Sequence, residues 1–358
     1  MTAPEQLDGP RACTKYEVGA ALDLMNLVFS PQAPEMGSFN PLITSEANAP
    51  RMRILRVNGV LVAHAGYWVY DYQTSRGMLK LGGLWAVATH PDYRRRGYGR
   101  LCVLDAMRAL REEGCQLGWL ATGINDWYRA LGWENGGEDW TFTVDRFTVN
   151  LLPEPDAEVR FGLWPDTAAM LARYHAPGIG VRRSREWFDV LLRRHGLRCA
   201  TASRHGALLA YVLYKGMHVY EQAGEAACIP GLLRAVFLRE DDRDKPTSTS
   251  QHLDGMLVRT CPSRDGFATA LINLGLPRTR AYNGMWWIPD PPALLNALDL
   301  ADITVTEAGG TITLRRGDET ARLSSGEVVK LLLGPERVAA FAGDLLPIRH
   351  YLWRFDGV

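Results

Sequence analysis

Val18, Leu22, Met25, Val28 and Phe29 fall on one face at helical spacing, which predicts a helix over residues 16–29. The polar, proline-rich stretch 30–50 behind it has no period and predicts a long loop. Two apolar runs, 52–57 and 60–70, then flank Asn58-Gly59. That dipeptide supplies both positive-φ positions of a type I′ turn, so the pair predicts a β-hairpin. Residues 79–89 predict a third, largely buried strand, and 101–110 an amphipathic helix. A short apolar strand at 117–121 and a short helix at 127–131, stopped by Gly132, complete this first part.

The second third echoes the first. The pattern from Arg56 through Asn58-Gly59 returns at Arg204-His205-Gly206, and Ala130-Leu131-Gly132-Trp133 is matched by Asn273-Leu274-Gly275-Leu276. A duplicated unit explains both echoes, and the shared composition of hairpins is the simpler alternative. Ile288-Pro289-Asp290-Pro291-Pro292 predicts a linker, because clustered prolines stop helix and sheet alike. Beyond it, residues 303–306 and 311–314 alternate about Gly309-Gly310, and helices are expected near 325–333 and 335–342, forming a small α+β unit. A length of 358 residues, against roughly 150 for one domain, fits three units at 1–150, 151–298 and 299–358.

Composition narrows the classes of function. Forty Lys and Arg balance forty Asp and Glu, and 47% of residues are hydrophobic, as in ordinary globular proteins. Coating nucleic acid or an anionic membrane calls for a basic surplus, so neither is an expected partner. Cys13, Cys102, Cys115, Cys199, Cys228 and Cys261 form no CxxC pair and no Cys/His set at zinc spacing; they read as buried, reduced residues, and no metal is expected. The opening MTAPEQLDGP has neither the basic nor the apolar region of a signal peptide, and no apolar run nears the ~18 residues of a spanning helix, so a cytoplasmic location is expected. Asp241, Asp242 and Asp244 suggest an exposed acidic loop.

One segment breaks the balance. From Arg94 to Arg111, six arginines (94, 95, 96, 100, 108 and 111) face one acid, Asp105. They begin in Val87-Ala88-Thr89-His90-Pro91-Asp92-Tyr93-Arg94-Arg95-Arg96-Gly97-Tyr98-Gly99-Arg100, which ends a strand, turns and opens a helix. A helix start leaves backbone N–H groups unpaired, and glycines let an oxygen-rich ligand come close to them. Arginines beside it add charge-assisted hydrogen bonds, so the segment reads as an anion site. It is no P-loop, lacking GxxxxGK[ST], and no dinucleotide fingerprint, lacking the third glycine. His64 and His90 are bases by type, though a lone histidine near a strand more often packs or caps. Trp85 could line a pocket, but packing is the simpler role.

Arg94-Arg95-Arg96-Gly97-Tyr98-Gly99 resembles the acetyl-CoA signature R/Q-x-x-G-x-G/A of the GNAT N-acetyltransferases, and Tyr128-Arg129-Ala130-Leu131-Gly132-Trp133 resembles that family's Y-x-x-L/F-G-F/Y/W segment at the expected distance. Gly178-Ile179-Gly180-Val181-Arg182 with Trp187, Leu345-Leu346-Pro347 and the tail Trp353-Arg354-Phe355-Asp356-Gly357-Val358 are similar to the Eis-type members. The resemblance implies tandem GNAT-like α/β domains with mixed central sheets flanked by helices, the second degenerate, followed by a sterol-carrier-protein-like α+β domain. It also implies a homo-oligomer, typically a hexamer.

Acetyl-CoA is then the cosubstrate, held by residues 87–89 and 94–100 with Gly123 and Ile124. The acceptor is a primary amine on a small polyamine, an aminoglycoside-like compound or a protein lysine. Tyr128 is the implied general acid towards the thiolate, the fourth-strand backbone at Val87, Ala88 and Thr89 the oxyanion donor, and the carboxylate of Val358 the base. The group's usual terminal aromatic is replaced here by Val358, which loosens that last assignment. Leu271 falls where the echo would place Tyr128, and no Gly-x-Gly loop occurs around 239–244, so the second unit is expected to be structural. A non-catalytic acyl-CoA or lipid carrier using the C-terminal unit is the competing class.

Overall fold

A computed structural model describes residues 5–29, 36–39, 41–243, 255–261 and 266–357. The first part runs β1 (Leu7–Ala12), α1 (Val18–Phe29), α2 (Met36–Phe39), β2 (Met52–Val57), β3 (Val60–Gln73), β4 (Met78–Thr89), α3 (Tyr98–Glu112), β5 (Leu117–Leu120), α4 (Asn125–Arg129), β6 (Glu134–Asn135) and β7 (Glu138–Val144). Next come β8 (Glu158–Phe161), α5 (Thr167–His175), β9 (Gly180–Val181), α6 (Arg185–Leu192), β10 (Arg198–Arg204), β11 (Ala207–Lys215), β12 (His218–Gly224), α7 (Cys228–Arg243), β13 (Met256–Thr260), α8 (Phe267–Asn273), β14 (Arg278–Tyr282) and β15 (Met285–Trp287). The last part holds α9 (Pro291–Ala297), β16 (Thr304–Ala308), β17 (Thr311–Arg316), β18 (Glu319–Leu323) and α10 (Ser325–Leu333).

These strands make three sheets, ordered β1-β2-β3-β4-β5-β15-β6 with β9 on β3, then β14-β7-β13-β12-β11-β10-β8, and β16-β17-β18. The two large sheets are mixed: β4 and β5 are parallel, as are β12 and β13, and the hairpins are antiparallel. Both expected hairpins turn on two positive-φ residues, Asn58 and Gly59 in one and His205 and Gly206 in the other. The order β2-β3-β4-α3-β5-α4 recurs as β10-β11-β12-α7-β13-α8, so the echo is one of topology.

The large sheets exchange strands. β7 follows β6 in the chain but joins the second sheet, and β15 follows β14 but returns to the first. The two crossings meet, for Gly136 N–H donates to the Gly284 carbonyl at 3.2 Å and Asn283 N–H to the Gly136 carbonyl at 3.1 Å. A Cβ on Gly284 would come within 2.5 Å of the Trp119 indole nitrogen, so only glycine fits there.

Several expectations change. The stretch 30–50 carries α2 and a 3-10 helix, Glu46–Arg51, where described. The proline run after Ile288 is no linker: Asp290 caps Ala293 N–H and Pro291 opens α9, because the first helical turn needs no proline N–H. No helix forms over 335–342. Glu319 accepts the Ala342 N–H at 2.8 Å, and Glu336 is taken by Lys330 and Tyr282, so side chains satisfy this segment instead. Strand β18 adds a third strand to the expected pair about Gly309-Gly310. Asp241 and Asp242 continue α7 rather than forming a loop, and Asp244 lies outside the described residues. All six cysteines are buried, and none is in a disulfide. Among the described residues no helix is long and apolar enough to cross a membrane.

The first sheet is buried on both faces. Helix α3 covers one, with Val103, Leu110, Trp133 and Trp287 in a single core. The other face, with Tyr70, Tyr72, Trp85 and Trp119, packs on α1, α6, α10 and the chain's last residues in a second core. A Cβ on Gly66 would stand 2.3 Å from the Trp85 ring, an indole with no room to retreat. Gly66→Ala is expected to lower stability by about 1–3 kcal/mol through overpacking beside β4. Urea unfolding measures it, and an unchanged midpoint would show that Trp85 moves freely.

Candidate active site

The site starts where two strands part. β4 and β5 pair only at Leu81–Leu117, Gly82–Gly118 and Gly83–Trp119, and from Leu84 onward β4 has no strand partner on that side among the described residues. Gly82 lets α3 approach, since a Cβ there would lie 2.3 Å from Leu110 Cδ2. Past the parting β4 bulges: the β3 register skips between His64 and Gly66, and Ala86 takes φ +46°. A non-glycine residue in that region is strained, so something must hold it. His64 Nδ1 lies 2.7 Å from the Ala86 carbonyl oxygen, which can only accept, so Nδ1 carries the proton. Burial pushes this imidazole down from 6.5 to about 4, so it stays neutral near pH 7.

Beyond Thr89 the chain makes a short 3-10 turn, Pro91–Tyr93, in which the His90 ring accepts the Asp92 N–H at 3.3 Å. His90 is thus a cap. Arg95 sits at φ +63° and Gly97, the N-cap of α3, at φ +84°. The two glycines of the turn serve different needs. Gly97 has open space where a side chain would go and is required by its backbone angle, whereas a Cβ on Gly99 would meet Thr89 Oγ1 at 2.6 Å. The first N–H groups of the fifteen-residue helix α3 are left without intrahelical partners beside this loop.

Helix α4 brings Tyr128 to the same place. Its chain turns back at Gly132, φ +89°, so that Leu131 and Trp133 N–H both donate to the Tyr128 carbonyl at 2.9 and 3.1 Å. Trp127 and Trp133 meet the Tyr128 ring edge-on at 4.7 and 6.4 Å. Burial alone pushes the hydroxyl up to about 12, so it is protonated at any ordinary pH.

A cleft of about 420 Å³ gathers these parts. Of the residues expected from sequence, Val87, Thr89, Arg94, Arg95, Gly97, Tyr98, Gly99, Arg100, Ile124 and Tyr128 line it. Three do not. Ala88 faces the opposite core with α1, and Gly123 lies outside the wall. Arg96 is drawn off to Glu5 at 2.7 Å and over the Tyr93 ring at 5.2 Å; an exposed carboxylate from the N-terminal segment competes for it, so only part of the arginine cluster serves the cleft. Val358 lies outside the described residues. Val28, Tyr93 and Trp127 line the cleft unforeseen. Trp127 could have been found from its place beside Tyr128, and Val28 from its position at the end of the first helix. Trp85 is core.

The second unit has the frame without the parts. Leu276 N–H donates to the Leu271 carbonyl at 3.2 Å about Gly275, φ +78°, so Leu271 occupies the position of Tyr128. The counterpart of the arginine loop is not at 239–244, of which 239–243 lie on α7 and Asp244 outside the described residues, but at Glu225, Ala226 and Ala227, the whole connection between β12 and α7. Three residues cannot build a cradle that takes residues 90–97 in the first unit. Among the described residues, no group of three or more His, Cys, Asp or Glu could hold a metal ion.

Residues 10–136 match the family described as acetyltransferase (GNAT) domain. A search of curated proteins found no match. Among solved structures, a probable N-acyltransferase from Enterococcus faecalis superposes with a TM-score of 0.68 at 13% identity, over 93% of this chain and 90% of that one. A GCN5-related N-acetyltransferase from Kribbella flavida gives 0.60 at 16% identity, over 90% and 83%. Eis1 from Mycobacterium abscessus gives 0.60 at 12% identity, over 93% and 90%. At these identities the likeness is one of fold.

Buried His64 makes stability depend on pH, as does His350, which burial also pushes down from 6.5 to about 4. With folded values below the unfolded one, the unfolded chain binds more protons between them, so stability is complete above pH 6.5 and is lost as the pH falls towards 4. The loss is on the order of 3 kcal/mol for each ring. Urea unfolding at pH 7.5, 6 and 5 should show it; a free energy constant over that range would mean that neither ring is buried neutral.

Proposed function

We propose that this chain, whose residues 10–136 match a GNAT acetyltransferase domain, is an acetyl-CoA-dependent N-acetyltransferase acting on a primary amine. The acceptor belongs to small polyamines, aminoglycoside-like compounds or exposed lysine side chains. One observation carries the reading: a single cleft brings together the unpaired edge of β4, the start of α3 with Arg94, Arg95 and Arg100, and the Tyr128 ring. The open side of Gly97 and the free N–H groups of α3 suit a pyrophosphate, so the residues present fit the coenzyme.

Acetyl-CoA supplies an activated acyl thioester, and the chain supplies three groups. The β4 backbone past the Ala86 bulge, around Val87 and Thr89, donates to the carbonyl oxygen as charge builds on it. Tyr128 faces the departing sulfur. A phenol near 12 is a far weaker acid than a thiol near ~8.5, so the Tyr128 proton moves only as the carbon–sulfur bond breaks, or remains a hydrogen bond to the thiolate. The carboxylate of Val358 takes the proton of the attacking amine. The tail's direction supports this: a Cβ on Gly357 would stand 3.0 Å from the ring of Trp119, the last β5 residue paired with β4. An Eis-type arrangement completes the proposal, with units at 1–150, 151–298 and 299–358, the last sterol-carrier-protein-like, and a homo-oligomer, hexameric by resemblance. The rival lipid-carrier reading rests on a cleft of about 440 Å³ beside Leu331, Phe341 and Leu346.

Thiol release from acetyl-CoA with a panel of amines tests the proposal. Tyr128→Phe should lower kcat by ~10²-fold or more with little change in either KM, within the usual range for general acids. The wild-type rate should show no falling limb below pH 10 from this hydroxyl, whose ionisation lies near 12. No turnover of any amine despite tight coenzyme binding would favour the carrier. Separately, Arg95→Glu should raise the KM for acetyl-CoA at least tenfold more than that for the amine; equal effects would remove Arg95 from the pyrophosphate site. One added residue after Val358 should lower kcat while leaving coenzyme affinity intact.

A further inference from the structure

The last described residues are held by ion pairs wholly inside the protein. Asp356, Arg183 and Glu221 have no exposed side-chain surface. Arg183 donates from Nε and Nη2 to the two oxygens of Asp356 at 2.5 and 2.9 Å, and the Tyr174 hydroxyl donates to Asp356 Oδ2 at 2.9 Å. The same guanidinium donates to both oxygens of Glu221 at 3.1 and 2.5 Å, and the Tyr174 ring covers it at 3.7 Å. The backbone is gripped too. Arg194 Nη1 donates to the Phe355 carbonyl at 3.0 Å, and the Tyr70 hydroxyl to the Asp356 carbonyl at 2.7 Å.

A buried ion pair is a poor way to gain stability, because desolvation offsets much of the attraction and apolar residues would do as well. What it supplies is a fixed place, since a bidentate pair tolerates little displacement. Arg183 follows β9, which is paired to β3 at Tyr72–Val181, so the grip is referred directly to the sheet that carries the cleft. Gly357 then lies against Trp119 where β4 and β5 part.

We propose that Arg183 is a positioning residue for acyl transfer: by holding Asp356 it fixes Gly357 against Trp119, where β4 and β5 part. This rests on the reading that the tail takes the amine's proton. It gives the second unit, which has no coenzyme cradle of its own, a part in the reaction at the first.

Asp356→Asn tests the proposal, because Arg183 keeps Glu221 as a one-to-one partner and the fold keeps a balanced pair. Tyr70→Phe is the milder second variant, removing one hydrogen bond to the tail backbone. For each, the rate at which a carboxypeptidase removes Val358 is followed by intact mass, alongside kcat and both KM values. Asp356→Asn should speed removal of Val358 at least tenfold and lower kcat at least tenfold, with the KM for acetyl-CoA within twofold of wild type; Tyr70→Phe should fall between. A merely structural role would move coenzyme KM and kcat together. Unchanged removal of Val358, or faster removal with wild-type kcat, would overturn the proposal. If a chain extended by one residue keeps full kcat, the carboxylate reading fails and the positioning role with it; if the extension lowers kcat while Asp356→Asn does not, only the positioning role fails.

Discussion

Strands β4 and β5 share backbone hydrogen bonds only from Leu81 to Gly83 on the β4 side, and the polar groups beyond that point must find other partners. A buried, unpaired backbone amide costs about as much as a lost hydrogen bond, so an opened parallel pair persists only where the surroundings hold it open. Three features do so here. The bulge at Ala86 turns the strand, His64 takes the displaced carbonyl at 2.7 Å, and the Trp85 ring fills the space that Gly66 leaves. The edge so exposed meets the start of α3, another row of unpaired N–H groups, so the cleft follows from two interruptions of regular structure that coincide.

The second unit shows what that opening requires. It repeats the hairpin turn, the parallel pair β12–β13 and the reversal after α8, with the same hydrogen bond across Gly275 that Gly132 makes in the first unit. Its strand and helix are joined by Glu225, Ala226 and Ala227 alone, so the helix start sits against the strand end with no loop to receive a ligand. Scaffold and site are separable: the same topology stands in the second unit without the arginine loop or the tyrosine.

What could be read in the sequence was what local physics dictates. Asn58-Gly59 declares a turn because few other residues accept two positive φ angles, and Gly97 declares a helix start because its backbone sits at φ +84°. What escaped was decided by distant partners. Pro291 reads as a breaker until Asp290 caps the helix it opens, and 335–342 reads as a helix until Glu319 and Lys330 claim its polar groups. Arg96 looks like its neighbours in the loop, and only Glu5, far away in the chain, takes it from the cleft. The exchange of β7 and β15 between sheets has no local signature, since a strand's pattern states that it is buried and not which sheet buries it.

That exchange bears on how the parts cooperate. Gly136 and Gly284 bond to each other at the joint, and the Trp119 indole nitrogen donates to the Asn283 carbonyl at 2.7 Å, tying the β5 end of the cleft to the crossing itself. Asn283 in turn donates to the Leu352 carbonyl at 3.1 Å, which carries the connection into the tail. Neither large sheet can be completed without a strand from the far side of the joint, so the first unit reaches its final shape only when the second is folded. The residues that hold the tail are therefore in place whenever the cleft is, and each half supplies the strand that the other's sheet edge lacks.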